Sequence, residues 1–270
     1  GGFHLVCNAA DENAVANLRR RKFREGKPFA VMFRSLEAAR RAVPISEEEE
    51  RQLLAVSRPI VLCRTAEGTA GHNRAVPESL VGVNGGQQSA AEDGTSASGE
   101  EEPGNRSATA PVAPSVSRGL HTLGVMLPYA PILHLLFQFL SADVLVMTSG
   151  NLSGEPLVYR NRDAVERLSG VADAFLLYDR EIRNPSDDSV VFVAAGRQRI
   201  IRRSRGLVPD PLPLSLPAEG IVASGGELKN CFALGQGRSV VLSQHIGDLA
   251  NYDTLLAYGS ALNSFLTMLG

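Results

Sequence analysis

An open α/β sheet of mixed strand direction, flanked by helices and followed by the start of a second α/β unit, is the fold class predicted by this 270-residue sequence. Three observations point to it. Apolar runs of strand length ("PIVLC", "DVLVM", "SVVFV") alternate with segments that open on helix-capping residues. Hydrophobic residues make up 44% of the chain and charged residues 21%, which leaves room for a sizeable core. A proline-rich stretch, "VPDPLPLSLP" from Val208 to Pro217, then interrupts the pattern and forms no regular helix.

Asp11 is placed to cap a first helix that turns Ala14, Val15 and Leu18 inward, and the basic run Arg19 to Arg24 suits the negative end of its dipole. Ser35 starts a second helix. Ser46 and Glu49 have capping-box spacing at the head of a third, "SEEEERQLLAV". "RPIVLCR", Arg58 to Arg64, reads as a buried strand. Asn84 to Ser117 is built of Gly, Ser, Ala, Glu, Thr and Pro, too little apolar area to offset chain entropy, and is expected to be a disordered, dispensable insertion. A short strand in "TLGVML", a helix entered at Pro131 and a strand from Asp143 to Met147 then have the spacing of a crossover unit. Asp163 to Leu168 reads as a helix closed by Gly170, and Ala174 to Tyr178 as a strand. "DDSVVFVAAGRQRIIRRSRG" reads as a hairpin turning at Ala195 and Gly196, with an arginine-rich return strand. On that strand Arg203 and Arg205 would face one way and Arg202 the other. Residues 1–207 form the first domain in this reading and 208–218 a linker. Residues 219–270 hold a strand, a hairpin and an amphipathic helix from Tyr252 to Leu269; about fifty residues is marginal for a domain, so the chain is expected to stop inside one.

Cys7, Cys63 and Cys231 are far apart and form no CxxC pair, which argues against a disulfide framework and for a reducing, cytoplasmic home. The most apolar stretch, Leu123 to Met147, is interrupted by Pro128, Pro131, His134, Gln138 and Asp143, so no membrane span is expected. The chain opens at Gly1 without a methionine, and export is left unread. Five scattered histidines show no metal-ligand spacing, and a net charge of -2 weighs against nucleic acid as the main partner.

Ligands of open α/β sheets sit beyond the carboxyl ends of strands, where "TSGNLSG" follows Val146. Thr148, Ser149, Asn151 and Ser153 offer hydroxyl and carboxamide donors there, and the glycines permit a turn whose amides cradle phosphate oxygens. Countercharge is available from Lys22, Arg24 and Lys27 and from Arg203 and Arg205. Each segment has an ordinary explanation: a solvated helix end, a loop, or a basic edge strand that discourages edge pairing. Asp187 and Asp188 read as turn acceptors rather than metal ligands, and the cysteines as structural.

The order of the segments adds to this. "GGFHLVCNA", "RRRKFREGKPFAVMF", "TLGVMLPYAPILHLL", "VMTSGNLSGEP", "NPSDDSVV", "IRRSRGLVP" and "GGELKNCFALGQGRSVVLSQHIGDL" together resemble the HypF-type carbamoyltransferases of [NiFe]-hydrogenase maturation. The resemblance covers nearly the whole chain outside Asn84 to Ser117. It implies a YrdC-like domain, a fold also associated with double-stranded RNA, followed by the opening of a TsaD-like domain of actin/hexokinase type. The family's KxR motif with a trailing Lys-Pro matches Lys22-Phe23-Arg24 and Lys27-Pro28, and its SxN motif matches Ser149-Gly150-Asn151.

The implied reaction uses ATP, Mg2+ and carbamoyl phosphate to make carbamoyl-adenylate, whose carbamoyl group passes to the C-terminal cysteine of a HypE-type partner. Lys22, Arg24 and Asn151 would be catalytic; Lys27, Thr148, Ser149 and Ser153 would bind ATP or carbamoyl phosphate, with Arg203 and Arg205 in support. The family's acylphosphatase-like domain, zinc modules and metal-holding histidine pair fall outside these residues, so an incomplete enzyme is expected. Two rivals are a threonylcarbamoyl-adenylate synthase acting for tRNA modification, which would not continue into "GGELKN", and an RNA-binding YrdC-like module without catalysis. Antibiotic O-carbamoyltransferases place the two domains in the opposite order.

Overall fold

The computed structural model describes residues 1–65 and 112–269. Seven strands form one mixed sheet: β1 (His4–Asn8), β2 (Ala30–Phe33), β3 (Ile60–Arg64), β4 (Thr122–Met126), β5 (Val144–Ser149), β6 (Val190–Ala194) and β7 (Arg197–Arg202), in spatial order β1-β5-β2-β4-β3-β6-β7. Only β2 with β4 and β3 with β6 run parallel. Strand alternation buries both faces. Val31 and Phe33 of β2 and Val144 and Val146 of β5 pack on one side, and Met32, Leu145 and Met147 on the other. The first side takes α1 (Glu12–Arg21), α2 (Leu36–Ala42), α3 (Glu47–Leu54) and α5 (Asn161–Leu168), through residues such as Val15, Ala39, Leu53 and Leu168. The second takes α4 (Pro131–Phe139) through Phe137. Each buried Val, Leu, Met or Phe side chain contributes roughly 1.5–3 kcal/mol of transfer free energy.

The helix starts follow their caps. Asp11 accepts from the amides of Asn13 and Ala14, Ser35 from Ala38, and Ser46 and Glu49 close a reciprocal capping box. The β6–β7 hairpin turns at Ala195 and Gly196, both at positive φ (51° and 68°), as a two-residue turn between twisted strands requires.

A second, four-stranded sheet has the order β8-β11-β10-β9, with β8 (Leu212–Pro213), β9 (Val222–Ala223), β10 (Ala233–Gln236) and β11 (Ser239–Leu242). It packs Phe232, Leu234 and Val241 against Phe265 of α6 (Tyr252–Leu269). No helix among the described residues is long and apolar enough to cross a membrane.

Several local expectations are corrected. Strands β4 and β5 are not a parallel crossover pair: β2 lies between them, parallel to β4 and antiparallel to β5, so the short α4 returns the chain from the end at which β4 left. Ala174 to Tyr178 is no strand. That segment has no regular structure and is held by side chains, with the Tyr178 hydroxyl donating to Tyr159 O and Asn161 Nδ2 donating to Tyr178 O, and Leu176 and Leu177 stay exposed. Residues 84–111 of the expected insertion lie outside the described residues. Residues 112–117 are built into the core: Ala113, Ser115 and Val116 are buried, the last two in a 3-10 turn against α1. Leu212 and Pro213, expected in a linker, pair with β11 as an edge strand. Helix α5 begins at Asn161, two residues before the expected Asp163. Strand β7 ends at Arg202 beside a register shift at Val190 and Val191, so Arg203 and Arg205 are not strand neighbours on one face.

Candidate functional site

The loop after β5 and the end of α1 meet through one ammonium group. Lys22 is the C-cap of α1 and is buried, with 1% of its surface exposed. Its Nζ donates to Ser149 O at 2.5 Å, Asn151 O at 2.7 Å and Asn151 Oδ1 at 2.8 Å, so all three N–H bonds are taken by one loop. Burial first, then neighbouring Arg24, lowers its pKa to about 7, while the three oxygen acceptors favour the charged form.

Asn151 closes the loop from the other side. Its Oδ1 also accepts from Ser149 Oγ at 2.8 Å, and its Nδ2 donates to Glu155 O at 2.5 Å. With the carboxamide committed, the backbone supplies the open donors: among the described residues the amides of Leu152, Ser153 and Gly154 donate to no protein acceptor. Gly154 has φ +86°. Consecutive unpaired amides around a left-handed residue make an anion-binding concavity.

This loop lines a cleft of about 460 Å³ between the large sheet and the second unit. Of the site residues named from the sequence, Lys22, Arg24, Lys27, Ser149, Asn151, Ser153 and Arg203 line it. Thr148 and Arg205 do not. Thr148 is buried in β5, paired in register with Leu5 of β1. Arg205 donates to Asp188 Oδ1 at 2.7 Å and to Ser57 O and Arg58 O, and stacks on Tyr129 with its Cζ 3.5 Å from the ring centroid. A second depression, on α3 between Glu47 and Ala55, has no converging donors and is a helix surface.

Arg24 donates to Lys27 O and Pro28 O, and burial followed by the nearby Arg19 lowers its pKa. Lys27 Nζ makes no hydrogen bond among the described residues, and the buried Nε of Arg203 has no partner. Arg202, read from the sequence as facing away, also lines the cleft and pairs with Asp187 at 2.6 Å. Cations crowded enough to depress one another leave a surplus of positive potential that an anion relieves.

The far wall comes from residues that sequence reading left out: Lys229, Ser243, His245 and Asp248. His245 is depressed by burial and then by Arg202, which favours a neutral imidazole. Cys231, read as structural, is exposed and lines the same wall. Cys7 and Cys63 do pack against the core, and burial raises both thiols, Cys7 to about 11. No sequence spacing joins these second-unit residues to Lys22.

Two family models match the chain: Sua5_yciO_yrdC, described as telomere recombination, over residues 1–90 and 104–204, and HypF_C, described as a HypF Kae1-like domain, over 217–270. Carbamoyltransferase HypF2 of Cupriavidus necator is 40% identical across 94% of this chain and 28% of its own length. Carbamoyltransferase HypF of Rhizobium leguminosarum bv. viciae is 38% identical across 94% of this chain and 29% of its own. The chain thus spans under a third of the length of these relatives. A solved structure of full-length HypF in a phosphate- and nucleotide-bound form superposes with a TM-score of 0.80 at 40% identity, covering 100% of this chain and 30% of that one.

Proposed function

The chain belongs to the Sua5/YciO/YrdC family, and from that premise we propose that its cleft binds ATP and forms carbamoyl-adenylate as part of a HypF-type carbamoyltransferase. The observation that carries this reading is the meeting of three loop amides without an acceptor among the described residues, at Leu152, Ser153 and Gly154, with the cations of residues 22–27 and 202–203 in one cleft. Nucleotide and phosphate in the related HypF structure support the same ligand class.

In this reading water cleaves carbamoyl phosphate to carbamate and inorganic phosphate, and a carbamate oxygen then attacks the α-phosphorus of ATP. A new oxygen–phosphorus bond forms as the bond to the β-phosphate oxygen breaks, and pyrophosphate leaves with that electron pair. The transition state spreads negative charge over non-bridging oxygens, so catalysis rests on positioned positive charge. The loop amides hold phosphate oxygens, Arg24 and Lys27 neutralise the departing pyrophosphate, and Lys22 and Asn151 fix the loop that presents the amides. Arg203 supplies a further donor from the β7 side. Thr148 supports the loop from beneath, and Arg205 belongs to the scaffold through Asp188, Ser57 and Arg58.

Magnesium would travel with the ATP. The cleft carboxylates Glu155, Asp187 and Asp248 are already paired with Arg167, Arg202 and Lys229, and among the described residues no cluster of three or more His, Cys, Asp or Glu side chains could hold a metal ion, so a protein cage does not fit. The product's carbamoyl group would pass to the C-terminal cysteine of a HypE-type partner.

Pyrophosphate exchange tests the reading. Radiolabelled pyrophosphate is expected to enter ATP only when carbamoyl phosphate is present, and Asn151→Asp, which loses the bond to Glu155 O and adds negative charge to the loop, is expected to cut the rate about tenfold or more. A folded chain that binds ATP yet shows no exchange even when carbamate itself is supplied in place of carbamoyl phosphate sinks the adenylation step; one that binds no ATP sinks the site.

A further inference from the structure

Arg19 stands one turn before Lys22 in a run of basic residues, yet only 5% of its surface is exposed. Its guanidinium spans two segments. Toward the basic loop, Nη1 donates to Arg24 O at 2.8 Å, Glu25 O at 3.3 Å and Lys27 O at 2.9 Å. Toward the 3-10 turn, Nε and Nη2 donate to Ser115 O at 3.1 and 2.6 Å, and Nη2 reaches Val116 O at 3.3 Å. Five carbonyl oxygens therefore converge on one side chain, whose Cζ also lies 4.6 Å from the centroid of the Phe29 ring.

The acceptors are themselves fixed. Glu12, in the first turn of α1, takes hydrogen bonds from the amide and hydroxyl of Ser115, and Phe29 N donates to Val116 O at 2.9 Å. The basic loop lacks regular structure, and turning its carbonyls toward Arg19 leaves its charged side chains to the outside, where Arg24 and Lys27 line the cleft. A planar guanidinium with five N–H donors can span this set, whereas an ammonium has three donors at one point.

We propose that Arg19 is a positioning residue for the cleft: it folds the loop at 24–27 so that Arg24 and Lys27 meet the phosphate groups of the ligand. The proposal rests on the reading of the cleft as a nucleotide-phosphate site. It differs from a purely stabilising role in what it does to anion affinity. Arg34 supplies the comparison, since it also donates to carbonyls, those of Leu140 and Ala142, but lies outside the cleft.

The test uses the full chain with Arg19→Ala, Arg19→Lys and Arg34→Ala, below the unfolding temperature of each. Amide hydrogen exchange at residues 24–27 and calorimetric titration with inorganic pyrophosphate are measured. Arg19→Ala is expected to speed exchange in the loop and weaken pyrophosphate binding, each about tenfold or more, which for binding corresponds to about 1.4 kcal/mol. Arg19→Lys should fail to restore either, millimolar guanidinium ion should partly restore binding to Arg19→Ala, and Arg34→Ala should change neither. Unchanged loop exchange, unchanged binding with a loosened loop, or full recovery with lysine each overturns the proposal. If Arg19→Ala does not fold, wild-type affinity in Arg19→Lys does the same. If the unaltered chain binds no pyrophosphate, the phosphate-site reading falls, and the exchange data still decide whether Arg19 holds the loop.

Discussion

Lys22 Nζ lies 2.8 Å from Asn151 Oδ1, across 129 residues of sequence. With the two further bonds to Ser149 O and Asn151 O, the end of α1 and the loop after β5 act as one unit. Neither residue is left free to serve as an isolated ligand group, and their joint product is the shape and charge of the loop.

The lysine gives this unit a pH signature. An unfolded chain titrates its lysine near ~10.4, whereas Lys22 is lowered to about 7 in the folded protein. Between those values the unfolded state holds the proton and the folded state does not, so this group makes stability rise with pH from about 7 upward and adds no slope below. Lys22→Met is expected to remove that slope in urea titrations at several pH values. Because a bound phosphate favours the ammonium, calorimetry above about pH 7 should detect a net proton uptake on pyrophosphate binding that is larger in the unaltered chain than in Lys22→Met, the ligand's own titration being common to both. Identical pH dependence in both proteins would contradict the assignment.

Two glycines of the loop should respond differently to alanine. At Gly150 a Cβ would sit 2.7 Å from Phe3 Cβ and 2.8 Å from Phe3 O, the carbonyl that receives the Gly150 amide at 2.7 Å. Overpacking of this kind costs about 2 kcal/mol and would pull β1 away from the loop. At Gly154 the space is open and only the backbone angle, φ +86°, opposes a side chain, at roughly 1 kcal/mol. Denaturant midpoints should therefore fall further for Gly150→Ala, and equal losses would count against the contact.

Asp188 tests the separation between scaffold and cleft. It is 4% exposed and pairs with Arg205 at 2.7 Å and His4 at 3.2 Å. Burial alone would raise its pKa; the hydrogen bond and charge of His4, with Arg205, hold the carboxyl well below the usual carboxylate range. Its contribution is present above the unfolded value of ~3.9 and is lost as pH falls through the lower folded value. Asp188→Asn takes the carboxylate from the partly buried guanidinium of Arg205, which keeps Ser57 O and Arg58 O, and is expected to cost about 3 kcal/mol while flattening the acid limb of the stability curve. Pyrophosphate affinity should be unchanged in the folded variant, since Asp188 does not line the cleft; a large loss would show that the two regions are coupled.

Local chemistry was legible. Asp11, Ser35 and Ser46 announce their helices because a cap is satisfied by amides two or three residues away. The Ala195-Gly196 turn is readable for the same reason. "TSGNLSG" could be singled out as a candidate ligand loop because glycine-permitted turns after an apolar strand are a local pattern. Less legible was who pairs with whom. A segment such as Ala174 to Tyr178 has strand composition, but a strand exists only where another edge offers hydrogen bonds, and here side chains took that place.

Arginine was the hardest residue to place. Arg19, Arg203 and Arg205 all stand in basic runs, and the sequence treats them alike. The fold buries Arg19 among five carbonyls, leaves Arg203 lining the cleft with a buried Nε that has no partner among the described residues, and commits Arg205 to Asp188. The sequence by itself determined the capped helices, the apolar strands, the hairpin turns and the residue types available for an anion, because those depend on neighbours a few positions apart. Only the tertiary structure decided which cations face the cleft and which hold the scaffold, because a charge is stabilised by whatever oxygens the fold brings within about 3 Å of it, and those come from segments as far apart as Lys22 and Asn151.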